Sequence, residues 1–298
     1  MAFLAAWRLA KMLNKLVIIG VGLIGGSFAL ALREAGLVRE IVGVGRSLEN
    51  LSAALGTYVI DSASQNAAQA VQGADLVLLA VPVGQMGATM AAIAPHLGPT
   101  TVISDVGSTK QDVVALAKQY LAENLPRFVP GHPIAGAETS GVKAARGDLF
   151  RERNVVLTPL AETDPAAQAL LTSLWQGCGA KVSQMTPQQH DAVFAAVSHL
   201  PHVLAFALVD YIATQPNAEQ LFSFAASGFR DFTRIAGSSP EMWRDICLAN
   251  RDALLQQIGG YEQELARIKA LIAAGDGAGL AALFGHARDA RQSYLKNI

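Results

Sequence analysis

The sequence predicts an α/β protein: a doubly wound, mainly parallel sheet followed by an all-helical C-terminal domain. Three observations carry this. Short apolar strand segments alternate with helical ones between Lys15 and Met185, the pattern of a parallel sheet covered on both faces. The stretch Gly20-Val21-Gly22-Leu23-Ile24-Gly25 sets three glycines at G-x-G-x-x-G spacing between an apolar strand and an alanine-rich run. From Pro187 onward the strand pattern stops, and Val193, Phe194, Val197, Leu200, Leu204 and Leu208 recur at helical spacing. The expected organisation is a leader over 1–14, a nucleotide-binding domain over 15–187 and a helical domain over 188–298.

In order, Lys15 to Ile19 reads as a buried strand. Gly20 permits a tight turn, Gly22 lets the backbone approach a pyrophosphate, and Gly25 lets the following helix sit close on the sheet. The helix start at Leu23 and Ile24 offers unpaired N–H groups and a positive dipole end to phosphates. A second strand covers Glu40 to Gly45. Its end carries Arg46 and Ser47 where an NAD-specific fold has a carboxylate for the ribose 2′-hydroxyl. An arginine suits a 2′-phosphate, so NADP is favoured over NAD. A helical stretch follows, with a short extended piece near Tyr58 to Ile60. Asp75 to Pro82 is a continuous apolar strand whose end, Val81-Pro82, should lie beside the cofactor. Further strands are expected at 101–105, 128–131, 154–158 and 181–185. Beyond Pro187, helices are expected over 188–213, 218–229, 240–274 with a break at Gly259-Gly260, and 277–296.

The bulk composition narrows the function classes. A net charge of −1 argues against a nucleic-acid surface or a basic membrane patch. The two cysteines form no CxxC pair and fit a reducing cytoplasm. The apolar run Phe3 to Trp7 is too short for a signal-peptide core. No stretch reads as a membrane span, because polar residues interrupt each apolar run. The near-unbroken apolar run Leu204 to Val209 points instead to a second subunit.

Three clusters outside the glycine turn carry candidate chemistry. Ser108 follows the strand ending at Asp105, and His132 sits in Gly131-His132-Pro133-Ile134-Ala135-Gly136. Both are expected at the carboxyl ends of parallel strands, the edge where open α/β sheets bind ligands. Histidine is suited to accept a proton near neutrality. The third cluster is Ser198-His199-Leu200-Pro201-His202 with Asp231-Phe232-Thr233-Arg234. A metal site is not expected there, since no carboxylate stands at ligand spacing from the two histidines. Arg234 is either paired with Asp231 or reserved for a ligand carboxylate.

Together the glycine turn, Asp105-Val106-Gly107-Ser108-Thr109-Lys110, the His132 loop, the S-H-L-P-H segment and Asp231-Phe232-Thr233-Arg234-Ile235-Ala236 resemble the prephenate and arogenate dehydrogenase family of tyrosine biosynthesis. The resemblance implies a Rossmann-type nucleotide domain and oxidative decarboxylation of a cyclohexadienol. It implies His132 as proton acceptor from the C4 hydroxyl, with Ser108 bonding the same hydroxyl and orienting His132. It implies Arg234 at the ring carboxylate, His202 at the side chain, and Ser198 and His199 lining the pocket. It further implies a homodimer joined through the helical domain, with tyrosine as inhibitor. Two departures stand out: Ala137 replaces a threonine common in the family, and Arg46 replaces an acid. Glu138, next to Ala137, receives no role. Two other readings stay open. A β-hydroxyacid dehydrogenase would want a helical lysine base, and only Lys269 and Lys296 follow Pro187. A nucleotide-sensing regulator would need no His132–Arg234 constellation.

Overall fold

The computed structural model describes residues 12–137 and 139–296. These form two compact units, one ending at Asn250 and one beginning at Arg251. The division expected at Pro187 lies within the first unit.

The first unit begins with β1 (Leu13–Ile19), α1 (Leu23–Glu34), β2 (Val38–Val44), α2 (Leu48–Gly56), β3 (Ser62–Ser64), α3 (Ala67–Ala70), β4 (Leu76–Leu79), α4 (Met86–Ile93), β5 (Val102–Asp105), α5 (Gln111–Tyr120) and β6 (Phe128–Val129). The six strands make one parallel sheet in the order β3-β2-β1-β4-β5-β6. The chain reverses its direction of winding at β1 and β4, and the ligand crevice of such sheets opens at that point. β4 and β5 are buried along their whole length, as strands covered on both faces must be. One face carries Phe28, Phe150 and Trp175, with ring centroids 4.4 and 5.0 Å apart. The other carries Met86, Met90, Val113, Phe128, Trp243 and Ile246.

A second, three-stranded sheet follows, built from β7 (Gly131–Pro133), β8 (Asn154–Leu157) and β9 (Lys181–Gln184), with α6 (Pro165–Gly177) before β9. This corrects the expected single strand ending at His132. The strand divides at Pro130, which lacks an N–H for a ladder. β7 then pairs antiparallel with β8, so His132 lies opposite Val156 inside a strand rather than in a loop after one. The extended piece expected at Tyr58 to Ile60 is also displaced. Tyr58 has φ 56°, and the Tyr58 and Val59 N–H groups bond Leu55 and Ala54 carbonyls at the end of α2. The strand therefore starts only at Ser62. At the N-terminus, Leu13 and Asn14 belong to β1 rather than to a leader; of that expected segment, 1–11 lie outside the described residues.

Pro187–Ala213 is one continuous helical run: α7 (Pro187–Phe194), a π turn (Ala195–His199) and α8 (Leu200–Ala213). A capping box of Thr186 and Gln189 starts it. Pro201 has no N–H and its ring crowds the carbonyl four residues back; the wider π turn just before it accommodates both defects. The run is long and apolar enough to cross a membrane by length and composition, contrary to the sequence expectation, and 22% of its most apolar window is buried. Val193, Val197 and Tyr211 on it are exposed.

The helix expected over 218–229 is two, α9 (Ala218–Ser223) and α10 (Ser227–Thr233), followed by a 3₁₀ turn (Arg234–Gly237). The one expected over 240–274 breaks at Asn250, which ends α11 (Pro240–Ala249), and not at Gly259-Gly260. Those glycines sit inside α12 (Arg251–Ala273) at a cost of about 1 kcal/mol each relative to alanine. In the second unit, α12 packs against α13 (Gly277–Lys296) across a turn with Gly275 at φ 65°.

Candidate active site

The glycine turn is built as its spacing demands. Gly20 has φ 101°, and a Cβ there would lie 2.3 Å from the Ala80 carbonyl oxygen. A Cβ on Gly25 would lie 2.5 Å from the Gly20 oxygen. Both glycines thus serve packing between β1, α1 and the end of β4. Gly22 differs: nothing stands within 4 Å of its would-be Cβ. It precedes α1, whose first turn holds no acidic residue and whose start has no side-chain cap. The N–H groups of Leu23 and Ile24 belong to that first turn, where helices leave donors without intrahelical partners. This open cradle fits a pyrophosphate. Val81 and Pro82 follow β4 at the same sheet edge. Arg46 is exposed just past β2, with its carbonyl accepting from Gln65 Nε2 at 2.7 Å. The Ser47 hydroxyl caps α2 by accepting the Asn50 N–H.

Beyond β5 the polar residues are tightly organised. Asp105 and Lys110 are both fully buried and form an ion pair. The Asp105 carboxylate also accepts the Gly107 and Gly131 N–H groups at 2.7 and 3.2 Å. Lys110 Nζ donates to the Gly131 carbonyl at 2.8 Å. The start of β7, and with it His132, is therefore pinned to β5 by charged hydrogen bonds.

His132 is half-buried, and its Nδ1 lies 2.8 Å from His190 Nε2. His190 Nδ1 in turn lies 2.8 Å from Asp191 Oδ1. Asp191 reaches from α7 to the start of α5, where it accepts the Lys110 and Gln111 N–H groups at 2.8 and 2.9 Å. Burial raises its pKa, but the hydrogen bonds from His190, Gln111 and Lys110 outweigh that and hold it below the usual carboxylate range. His132 is pushed well below 6.5, first by burial and then by neighbouring His190, Lys110 and His199. It is neutral at physiological pH. His190 is lowered as well, chiefly by burial.

His199 is buried in the π turn. Asn250 Nδ2 donates to the Asp191 carbonyl at 2.8 Å and lies 3.1 Å from His199 Nδ1. Burial lowers the His199 pKa to about 4, with Asp191, His190, His202 and the Ser108 backbone among its neighbours. His202 stacks on Trp243 with centroids 3.7 Å apart, and its Nδ1 bonds the Ser198 carbonyl at 2.8 Å. Its pKa is lowered by burial, and Arg234 beside it adds to the effect. Among the described residues, the buried Trp243 Nε1 has no hydrogen-bond partner.

His199 thus neighbours the Ser108 backbone, His132 and His202, and Arg234 lies beside His202. His190, Asp191, Lys110, Trp243 and Asn250 complete the constellation and were not singled out from sequence. The adjacent pair His190-Asp191 near a helix start was the available signal. Glu138 lies outside the described residues.

Comparison with known proteins gives two family models in tandem: the prephenate dehydrogenase nucleotide-binding domain over residues 28–184 and the prephenate dehydrogenase dimerization domain over residues 186–286. The chain is 40% identical to prephenate dehydrogenase of Bacillus subtilis, covering 94% of this chain and 76% of the relative. It is 36% identical to cyclohexadienyl dehydrogenase of Zymomonas mobilis, covering 93% and 94% respectively. Among solved structures it resembles prephenate dehydrogenase from Aquifex aeolicus in complex with hydroxyphenyl propionate and NAD+, at TM-score 0.89, 36% identity, and 94% and 98% coverage. It also resembles arogenate dehydrogenase from Synechocystis, at TM-score 0.80, 32% identity, and 94% and 99% coverage.

Proposed function

The chain belongs to the prephenate dehydrogenase family, and on that footing we propose that it catalyses the NAD(P)-dependent oxidative decarboxylation of prephenate, arogenate or both in tyrosine biosynthesis. The observation that carries this reading is a neutral, anchored imidazole, His132, at the sheet edge that also bears the glycine cradle. The glycine cradle would hold the pyrophosphate of a nicotinamide dinucleotide, which when bound would supply the hydride acceptor for C4 of the substrate. His132 takes the proton of the C4 hydroxyl as carbonyl character develops. The ring carboxylate leaves as carbon dioxide, and its bonding pair enters the ring. His132 then returns the proton to the phenolic oxygen, so its charge is restored each turnover. Ser108 bonds the same hydroxyl. Arg234 holds the ring carboxylate, which a guanidinium matches in shape and charge. His202 faces the side chain, with Ser198 and His199 lining the pocket.

Gly22, Leu23 and Ile24 would hold the pyrophosphate, Gly20 and Gly25 would shape the turn that presents them, and Val81 and Pro82 would lie alongside. Arg46 and Ser47, in place of a carboxylate after β2, support NADP over NAD. Tyrosine, which keeps the product's ring, is the expected inhibitor. The exposed apolar residues Val193, Val197 and Tyr211 support a homodimer joined through the helical part. Both cysteines are free thiols, which accords with a cytoplasmic enzyme.

The deciding experiment is cofactor reduction measured with prephenate and arogenate, each with NAD and NADP. His132→Asn should keep cofactor affinity and lose at least ~100-fold in kcat, the scale of a positioned acid–base group. Absence of turnover with both substrates refutes the reading. A preference for NAD in kcat/KM overturns the role given to Arg46.

A further inference from the structure

The hydrogen bonds around His132 dictate where its protons sit. Asp191 accepts two backbone N–H groups, from Lys110 and Gln111, at 2.8 and 2.9 Å. Its carboxylate oxygens therefore act as acceptors, and the 2.8 Å contact with His190 requires the proton on His190 Nδ1. A neutral His190 then has a bare Nε2. The 2.8 Å contact between that atom and His132 Nδ1 requires the proton on His132 Nδ1. Only Nε2 of His132 is left with a lone pair. The whole chain of assignments starts from an acid that the backbone of α5 holds in place.

We propose that His190 and Asp191 are positioning residues for the reaction: they fix His132 in the Nδ1–H tautomer, orient its ring, and make Nε2 the atom that receives the substrate proton. The proposal deepens the functional reading above and rests on His132 being the base. When Nε2 takes the hydroxyl proton, an O–H bond breaks and an N–H bond forms. The resulting imidazolium keeps its Nδ1–H shared with His190, whose own Nδ1–H points at the Asp191 charge. No further proton transfer is needed. The arrangement follows the orienting logic of an acid–histidine pair in a catalytic triad, with one imidazole interposed. Phe194 packs tilted against both rings, its centroid 4.9 Å from His132 and 4.5 Å from His190. A ring held between two aromatic neighbours and one hydrogen bond has little freedom to flip.

The test compares His190→Leu with His190→Gln. Leucine removes the acceptor for His132 Nδ1–H, whereas the glutamine carbonyl restores it and its amide can still donate to Asp191. Nitrogen-15 NMR of the cofactor-free, substrate-free protein reads the His132 tautomer directly. Wild type and H190Q should show Nδ1 protonated, and H190L should shift toward Nε2–H. In H190L, kcat should fall at least ~100-fold with KM for substrate and cofactor affinity within ~3-fold; H190Q should recover ~10-fold or more. An unchanged tautomer in H190L overturns the proposal, as does H190Q no better than H190L. If H190L does not fold, H190Q decides alone: the wild-type tautomer with kcat within ~10-fold supports the proposal, and a loss equal to that of H132N overturns it. A tautomer shift in a protein that turns over neither substrate would uphold the positioning while sinking the functional reading.

Discussion

Replacing Lys110 by methionine tests how much the buried ion pair contributes to stability. The substitution keeps the stem and removes the charge, so packing changes little. It strips the Asp105 carboxylate of its cation in a fully buried site, a kind of change that typically costs ~3–5 kcal/mol. Asp105 keeps the Gly107 and Gly131 N–H groups, which argues for the lower end, about 3 kcal/mol. The Gly131 carbonyl also loses its Nζ donor, adding about 1 kcal/mol. The sum, about 4 kcal/mol, corresponds to a fall in Tm of ~8–16 °C for a chain of this size. Urea titration of wild type, D105N, K110M and the double variant D105N/K110M reads it. The double variant should recover part of the loss, because the unpaired charge is gone. K110M within 1 kcal/mol of wild type would refute the reasoning. So would a double variant whose loss is the sum of the two single ones. Because the pair pins the residue before His132, kcat of K110M should fall as well.

Other expectations follow from the same geometry. Because His132 is held well below 6.5 by burial and by His190, Lys110 and His199, its base form persists as pH falls. The pH profile of kcat/KM should stay flat through 6.5 and drop only below it, and an acid limb at 6.5 or above contradicts this. Unfolding the chain exposes His132, His190 and His199 to protonation that the folded state resists. Their contribution to stability is complete above about 6.5 and is lost as pH falls toward the folded values. Urea midpoints taken from pH 7 to pH 5 should therefore decline. Gly22→Ala should leave stability within about 1 kcal/mol, since no protein atom meets the new methyl, while raising the cofactor Kd. Gly25→Ala should destabilise the fold through its 2.5 Å approach to the Gly20 oxygen; calorimetry and cofactor titration separate the two. Arg234→Gln should weaken substrate binding by ~1.5–3 kcal/mol, a rise in Kd of about 10- to 150-fold. Unaltered affinity would remove Arg234 from the carboxylate site.

Local chemistry explains which parts of this molecule are legible in its sequence. The strand–turn–helix at Gly20 to Gly25 is written in consecutive residues, as are the runs that become β4 and β5. Each candidate group from Ser108 to Arg234 lies in a short segment with recognisable neighbours. What escapes the sequence depends on contacts between distant elements. Asp191 meets the Lys110 N–H across 81 positions, and nothing near either residue announces the meeting. Lys110 itself misleads, because lysine is almost never fully buried. Phe128 to Gly131 reads as one strand, and nothing in those residues shows Pro130 as the hand-over of the chain from a parallel to an antiparallel sheet. Asn250 ends a helix where glycines looked the better breakers, because its amide is engaged by Asp191 and His199.

The π turn between α7 and α8 acts as a phase setter. In an uninterrupted α-helix, His190 and His199 would project about 180° apart, since nine steps of ~100° separate them. Looping out one residue reduces the separation to about 80°, so both imidazoles turn toward Asp191. Excising a single residue from Ala195–His199 would leave helix content almost untouched. It would nonetheless swing everything downstream, His202 included, around the axis by more than a quarter turn. The spatial relation between the two ends of this helix is thus encoded by a count of residues, independently of which side chains fill the turn.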